Sequence, residues 1–412
     1  MLALAPALLF PTPTRLLVLS VVPVLWLCAL HATGRLVPAT PLNVALWVLL
    51  IMVGVSLYAT FDTRFSLGKV SGVVLGVLLF WVVVRWTTTR ERLTRALAAF
   101  LLAGGGLAIV GLLGTNWFDK FPALGAVVDR LPKAIRGVPG AEEGFHPNAV
   151  AGCLVLFIPL QVALLSCARR CFDSAGLKNR GRRSVALAIQ ASLLLLTAGT
   201  LLLTQSRGAF VGLMIATLAF LAWHSRLTRA LAASLAVSVV TLAAMLGSER
   251  LFDLAISRSG PGMAGNVSGR MEIWSRAIYG IQDFPLTGMG MNAFRKVMPL
   301  LYPTSLTSPD VDVAHAHNHL LQAALDLGIP GLTAYAAIWL LVAALLVKAY
   351  ARATDPVDRA AAGGLGAGLI AHFFFSMTDA IPLGAKVGVL FWLTLALAAA
   401  LYHVALPSPR SS

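Results

Sequence analysis

Eleven stretches of this chain are apolar for long enough to approach or complete a bilayer crossing, and that leaves few choices of fold. A span needs about 20 mostly apolar residues to cover about 30 Å of hydrocarbon. Segments 16–32, 42–60, 68–86, 94–114, 148–168, 184–204, 208–224, 229–247, 329–350, 361–378 and 386–404 answer to that. With 58% hydrophobic residues, 12% charged residues and a mean hydropathy of +0.82, the chain departs from the composition of soluble domains. Backbone in hydrocarbon must satisfy its own hydrogen bonds, so only helices or a closed barrel can span. A barrel would alternate apolar and polar residues over about ten positions, a pattern absent here. The expected fold is therefore an all-α polytopic bundle of 11–12 transmembrane helices. Residues 2–13 are apolar, but short and broken by Pro11 and Pro13. They fit a twelfth helix, a re-entrant piece or the start of a longer first helix. No small-residue cleavage site follows, so a removed signal peptide is not expected.

Charge then orients the bundle. Arg169, Arg170, Lys178, Arg180, Arg182 and Arg183 lie between two spans with one acid, Asp173. Short loops rich in Lys and Arg stay on the cytoplasmic side. Alternating from that anchor puts 86–93, 225–228 and 351–360 inside, and 115–147, 248–328 and 379–385 outside. Three regions follow: transmembrane helices over 1–247, an outer helical segment over 248–328, and C-terminal transmembrane helices over 329–412. The net charge of +15 does not argue for nucleic acid. The inner loops hold much of the excess, whereas 248–328 carries six Lys or Arg against seven Asp or Glu. Topology and attraction to anionic lipid account for the balance. The four cysteines (Cys28, Cys153, Cys167, Cys171) sit in or beside spans, so no disulfide framework is expected.

Segment 248–328 is too long for a structureless connection. Met271, Trp274 and Ile278 share one helical face, with Ser268 as the expected N-cap. A second helix is expected over Asn318–Leu327, capped by Asn318 and closed by Gly328 at C′. That puts His317 at the mouth of a helix, held by backbone geometry. Around it lies the polar run Ala314-His315-Ala316-His317-Asn318-His319, which puts three imidazoles and an amide within six residues.

His317-Asn318, nine residues, then Gly328-x-x-Gly331 resembles the signature of bacterial O-antigen ligases. Related O-antigen polymerases and protein O-oligosaccharyltransferases share it more loosely. Thr204-Gln205-Ser206-Arg207-Gly208-Ala209, Gly269-Arg270-x-x-x-Trp274 and Phe284-Pro285-Leu286-Thr287-Gly288-Met289-Gly290 resemble the same superfamily, in the right order. His146-Pro147-Asn148 and His372…Asp379 fit less specifically. The resemblance covers roughly residues 140–385 and implies the architecture of the GT-C glycosyltransferases. It implies that O-antigen polysaccharide leaves undecaprenyl diphosphate and joins a sugar hydroxyl of lipid A–core. The location implied is the bacterial inner membrane, with the site facing the periplasm.

The reaction's physics can be set beside these residues. A departing lipid diphosphate accumulates negative charge, and guanidinium groups stabilise it through forked bonds to phosphate oxygens. Arg207 and Arg270 are the candidates, and no metal or cofactor is required. The acceptor hydroxyl needs a base that titrates near neutrality, which an unperturbed histidine does. His317 is the expected base, with His315 as the alternative or as a partner that orients the acceptor. Asn318, Gln205, Trp274, Arg276, His146 and Asp379 are candidate supports.

Each candidate has a structural competitor. Arg207 can snorkel at a helix end, Arg270 can pair with Glu272, and Arg276 and Arg295 can be paired with acids. His146 can cap the helix beginning at Pro147. His372 and Asp379, seven apart, are expected on one helix face, as a structural pair or in substrate handling. Asp310 or Asp312 can raise the basicity of His317 or sit solvated in a loop. A metal cluster of His315, His317 and His319 lacks a nearby Cys or Glu to complete it. Two further functions stand beside ligation. A polymerase would use the same donor, and many carry two sizeable Arg-rich outer loops, against one long segment here. A flippase or transporter would show mid-membrane polar groups and an internal repeat, neither of which is evident.

Overall fold

The computed structural model describes residues 24, 27, 28, 30, 31, 34–118, 122–138, 141–168, 170, 179–224, 226–231, 233, 234, 237, 238, 241, 267–306 and 312–405. Most of the expected spans 16–32 and 229–247, and all of residues 2–13, lie outside them. Among the described residues the structure is helical, with two isolated bridges and no paired strand.

The helices are α1 (Asn43–Ala59), α2 (Thr63–Trp86), α3 (Arg90–Gly114), α4 (Pro122–Val128), α5 (Pro147–Leu154), α6 (Ile158–Ser166) and α7 (Arg180–Thr204). After them come α8 (Arg207–His224), α9 (Val267–Asp283), α10 (Phe294–Leu301), α11 (His319–Arg352), α12 (Pro356–Ser376) and α13 (Val389–Ala405). Among the described residues six stretches are long and apolar enough to cross a membrane: α2, α3, α5 with α6, α7, α11 and α13 with its preceding turn. Helices α1 and α8 are apolar but shorter.

Polar caps punctuate these apolar runs, because the first N–H groups of a helix have no partner within it. Asp62 accepts from Arg64 N at 2.8 Å to start α2, and Asn179 accepts from Arg182 N at 3.2 Å to start α7. Asp355 accepts from Val357 N at 2.7 Å at the head of α12. Small residues then let helices approach closely, as at membrane interfaces generally. A Cβ on Gly212 of α8 would lie 2.4 Å from the Ala371 carbonyl oxygen of α12, so α8 rides directly on that backbone.

Among the described residues, contacts gather connections at two ends of the bundle. At one end Arg90, the first residue of α3, meets Asp355 at 2.6 Å and Asp358 at 3.2 Å, before and within α12. At the other end meet the α1–α2 turn, the 115–147 connection, the α7–α8 junction, α9, α10 and the segment after α12. There Asn292 Nδ2 donates to Phe65 O at 3.3 Å, and Asn318 Nδ2 to Met377 O at 3.3 Å.

Some local expectations need correction. The span expected over 148–168 holds as one apolar stretch, Pro147–Ser166, but carries a turn at 155–157 before Pro159 that divides it into α5 and α6. Helix α9 begins at Val267, so Ser268 lies inside its first turn instead of capping it. Cys167 is disulfide-bonded, against the expectation of no disulfide; Cys28 and Cys153 are free, and Cys171 lies outside the described residues.

Candidate functional site

The His-Asn pair is fixed by backbone before any side chain is considered. Asn318 sits extended (φ −151°, ψ 121°) and its Oδ1 accepts from Leu320 N at 3.0 Å and Leu321 N at 3.1 Å. It caps α11 as expected. His317, just before it, is left-handed with φ 50°, a conformation that non-glycine residues seldom take. Such strain persists only where the surroundings over-determine it. Here Ala316 N donates to Gln322 Oε1 at 2.8 Å, and Gln322 Nε2 donates to Asp326 Oδ1 at 2.9 Å. Asp326 Oδ1 also accepts from Asn292 N at 3.1 Å. The histidine loop is therefore tied through one buried carboxylate to the turn that follows Gly290.

The two glycine motifs explain each other. Gly328 (φ 68°, ψ −178°) interrupts α11 where the sequence expects the helix of 318–327 to stop. A Cβ there would lie 2.6 Å from Leu286 C and O, and one on Gly288 would lie 2.6 Å from Gly328 N. Both have positive φ, and only glycine meets the conformation and the contact together. Met289 N donates to Leu325 O and Ile329 N to Pro285 O, each at 2.7 Å. The motif at 284–290 thus clamps the kinked helix that presents His317.

Opposite this loop stands Asp379. Helix α12 ends at Ser376, so Asp379 lies beyond it and does not share a helix face with His372, contrary to expectation. His372 turns to the Gly152 carbonyl instead, with its Nδ1 at 2.8 Å. Asp379 Oδ1 is 3.2 Å from His317 Nδ1, and Asn148 Nδ2 donates to its Oδ2. Burial pushes the Asp379 carboxyl up, but the His317 hydrogen bond and the charges of His317, His315 and Arg270 overcome this. They hold it below the usual carboxylate range. The carboxylate beside His317 is therefore Asp379, not Asp310 or Asp312. Asp312 pairs with Arg295, while Asp310 lies outside the described residues.

His315 lies beside His317, its ring tilted and its centroid 4.3 Å from that of His317, and its Nδ1 accepts from His317 N at 3.1 Å. Burial, and after it the His317 charge, hold its pKa down to about 3. One of its ring nitrogens is already engaged by the His317 N–H. His319 is separate: its Nδ1 meets Tyr335 Oη at 2.9 Å inside an aromatic cluster.

The arginines complete the site. Gln205 ends α7 in the left-handed region (φ 53°), and the chain reverses so that Arg207 opens α8. Gly208, the next residue, packs on Thr378, one position before Asp379, where a Cβ would lie 2.9 Å from Thr378 Oγ1. Arg270 comes from the first turn of α9. Burial lowers its pKa, the Asp379 charge raises it, and the Arg207 charge lowers it again. Arg207, Arg270 and Asp379 are thus electrostatic neighbours. Arg270 Nε and Trp274 Nε1, one turn apart, are both buried donors without an acceptor among the described residues. Orphaned buried donors cost about 1–3 kcal/mol each and point to a function.

Other candidates are spent on the scaffold. Glu272 accepts from Ser305 N and Oγ and from Leu306 N, and lies 3.6 Å from Arg276, whose Nε donates to Pro303 O at 2.9 Å. Arg276 therefore staples α9 to the segment after α10. His146 caps α5, its Nδ1 accepting from Asn148 N at 3.2 Å, and so sets up the residue that holds Asp379. Sequence reasoning passed over Lys69 and Asp326. Lys69 lies in α2 and its charge acts on His315; a lone lysine inside an apolar span was the available signal.

Residues 192–336 match the family model described as O-Antigen ligase. The match takes in Arg207, Arg270 and the histidine segment, while Asn148 and Asp379 lie outside it. No curated protein matches the chain.

Proposed function

We propose that this chain, a member of the O-antigen ligase superfamily over residues 192–336, is a glycosyltransferase that moves O-antigen polysaccharide from undecaprenyl diphosphate to a sugar hydroxyl of lipid A–core. The remaining expected crossings, the likeness to GT-C enzymes and a periplasmic site at the inner membrane belong to the same proposal. The observation that carries it is Arg270, whose buried Nε has no acceptor among the described residues and whose guanidinium is an electrostatic neighbour of both Arg207 and the Asp379 that holds His317.

The chemistry follows from that arrangement. The bond to Asp379 favours the proton on His317 Nδ1, leaving Nε2 as the acceptor of a proton. As the acceptor hydroxyl attacks, its proton passes to Nε2, and the Asp379 carboxylate stabilises the imidazolium that forms. The new bond joins the acceptor oxygen to the anomeric carbon while the old bond to the diphosphate oxygen breaks. The released diphosphate anion is met by Arg207, Arg270 and the Trp274 N–H. Attack from the face opposite the diphosphate inverts the anomeric centre. His315 cannot fill the base's role as well, since its Nδ1 already holds the His317 N–H.

Purified protein in detergent, given donor and acceptor lipids, tests the assignment. Glycan attached to lipid A–core supports ligation. Longer lipid-linked chains would make it a polymerase, and glycosylated protein an oligosaccharyltransferase. Movement of the donor across a bilayer without bond formation would make it a transporter.

A further inference from the structure

We propose that His315, His317 and Asp379 form a binding site for a divalent cation of the zinc class, and that its occupancy switches the base off. One ligand atom from each of these residues lies within 4.8 Å of the others, the one such group of three among the described residues. Zinc bonds of about 2.0–2.1 Å place tetrahedral ligands roughly 3.3 Å apart. His317 Nδ1 and Asp379 Oδ1 already stand at 3.2 Å. Rotation of the neighbouring His315 ring brings in the third ligand. Two imidazoles and one carboxylate suit zinc, nickel or copper and not magnesium. The other Asp379 oxygen is held by Asn148, the kind of outer hydrogen bond that orients a ligating carboxylate. The His317 side chain is 21% exposed, which leaves a path for the ion and a fourth position for water or the acceptor hydroxyl. Arg270 acts electrostatically on Asp379 and Lys69 on His315, so their charges oppose a cation and keep the site reversible.

The switch is a matter of tautomer. A neutral imidazole carries one proton. An ion bonded to His317 Nδ1 displaces the proton from that nitrogen, through solvent, onto Nε2. No lone pair then remains on Nε2 to accept the hydroxyl proton. This inhibition rests on His317 as the base; the binding does not.

Cobalt(II), titrated into chelator-treated purified protein and followed by its visible absorption, tests the site without any transfer assay. One equivalent is expected in the wild type and in His403→Ala, which lies far along the chain in α13. The band should vanish in His315→Ala, His315→Gln and Asp379→Asn, and Asn148→Ala should weaken binding about 10–100-fold. Absence of a band in the wild type, or an equal band in all the site variants, overturns the site. In the transfer assay, saturating zinc should lower turnover to that of His317→Ala, and EDTA should restore it. One equivalent bound with turnover unchanged overturns the switch, as does a requirement for zinc after EDTA treatment.

Discussion

His317 is held in a conformation that costs free energy, with one carboxylate at its Nδ1 and a neutral histidine against its backbone N–H. Replacing it with alanine should lower transfer by about 100- to 10,000-fold, the usual contribution of a general base, with the protein still folded and inserted. If turnover survives in that variant and is lost in His315→Ala, the base moves by two residues. The arginines make a different prediction. Arg270→Lys and Arg207→Lys should recover little of the activity lost in the alanine variants, because an ammonium cannot make a forked contact to phosphate. Full activity of the lysine variants, measured as turnover and donor affinity, would contradict bidentate binding. His317 and both arginines stood out as candidates because each sits in a compact run with an unusual neighbourhood in an apolar chain. Asp379 as the hydrogen-bond partner of His317 did not. It lies 62 positions from His317, and its apparent seven-residue register with His372 misleads, because the helix stops three residues earlier.

Among the elements, α11 does the most to set the site. Its first turn presents Asn318, and its kink at Gly328 is clamped by the 284–290 turn. Gly328→Ala would introduce both a strained φ and a backbone clash, so it should cost about 1–3 kcal/mol. A thermal midpoint in detergent equal to the wild type's would contradict this. Gln322→Leu should act more locally. It leaves the Ala316 N–H without its acceptor, a loss of about 1–3 kcal/mol, and frees the histidine loop. Turnover should fall while affinity for the diphosphate lipid is kept. A fall in affinity alone would mean that this tie serves the arginines instead. The caps and the glycine stop were readable because they depend on local residue chemistry. The link from Gln322 through Asp326 to Asn292 was not, since it joins segments that meet only when the outer segment folds back on α11.

For the molecule as a whole, hydropathy was enough to predict a helical membrane bundle, while the placement of Lys and Arg gives an expected sidedness. Sequence pattern was less informative about breaks inside apolar segments, such as 155–157, where Pro159 competes with a continuous apolar run. The sidedness itself is testable. Leu286→Cys, at the site end, should react with an impermeant maleimide from the periplasmic side, and Thr354→Cys only after the membrane is opened. Reversed labelling would turn the site toward the cytoplasm and remove its access to a periplasmic acceptor. The most direct test of the central claim is single-turnover transfer from a saturating diphosphate-linked donor to lipid A–core by purified Asp379→Asn protein. An amide at that position keeps the size but cannot stabilise an imidazolium, so donor affinity should stay near that of the wild type while the rate of glycan transfer falls at least about 100-fold. Wild-type transfer by that variant would contradict the His317–Asp379 pair as the engine of the reaction.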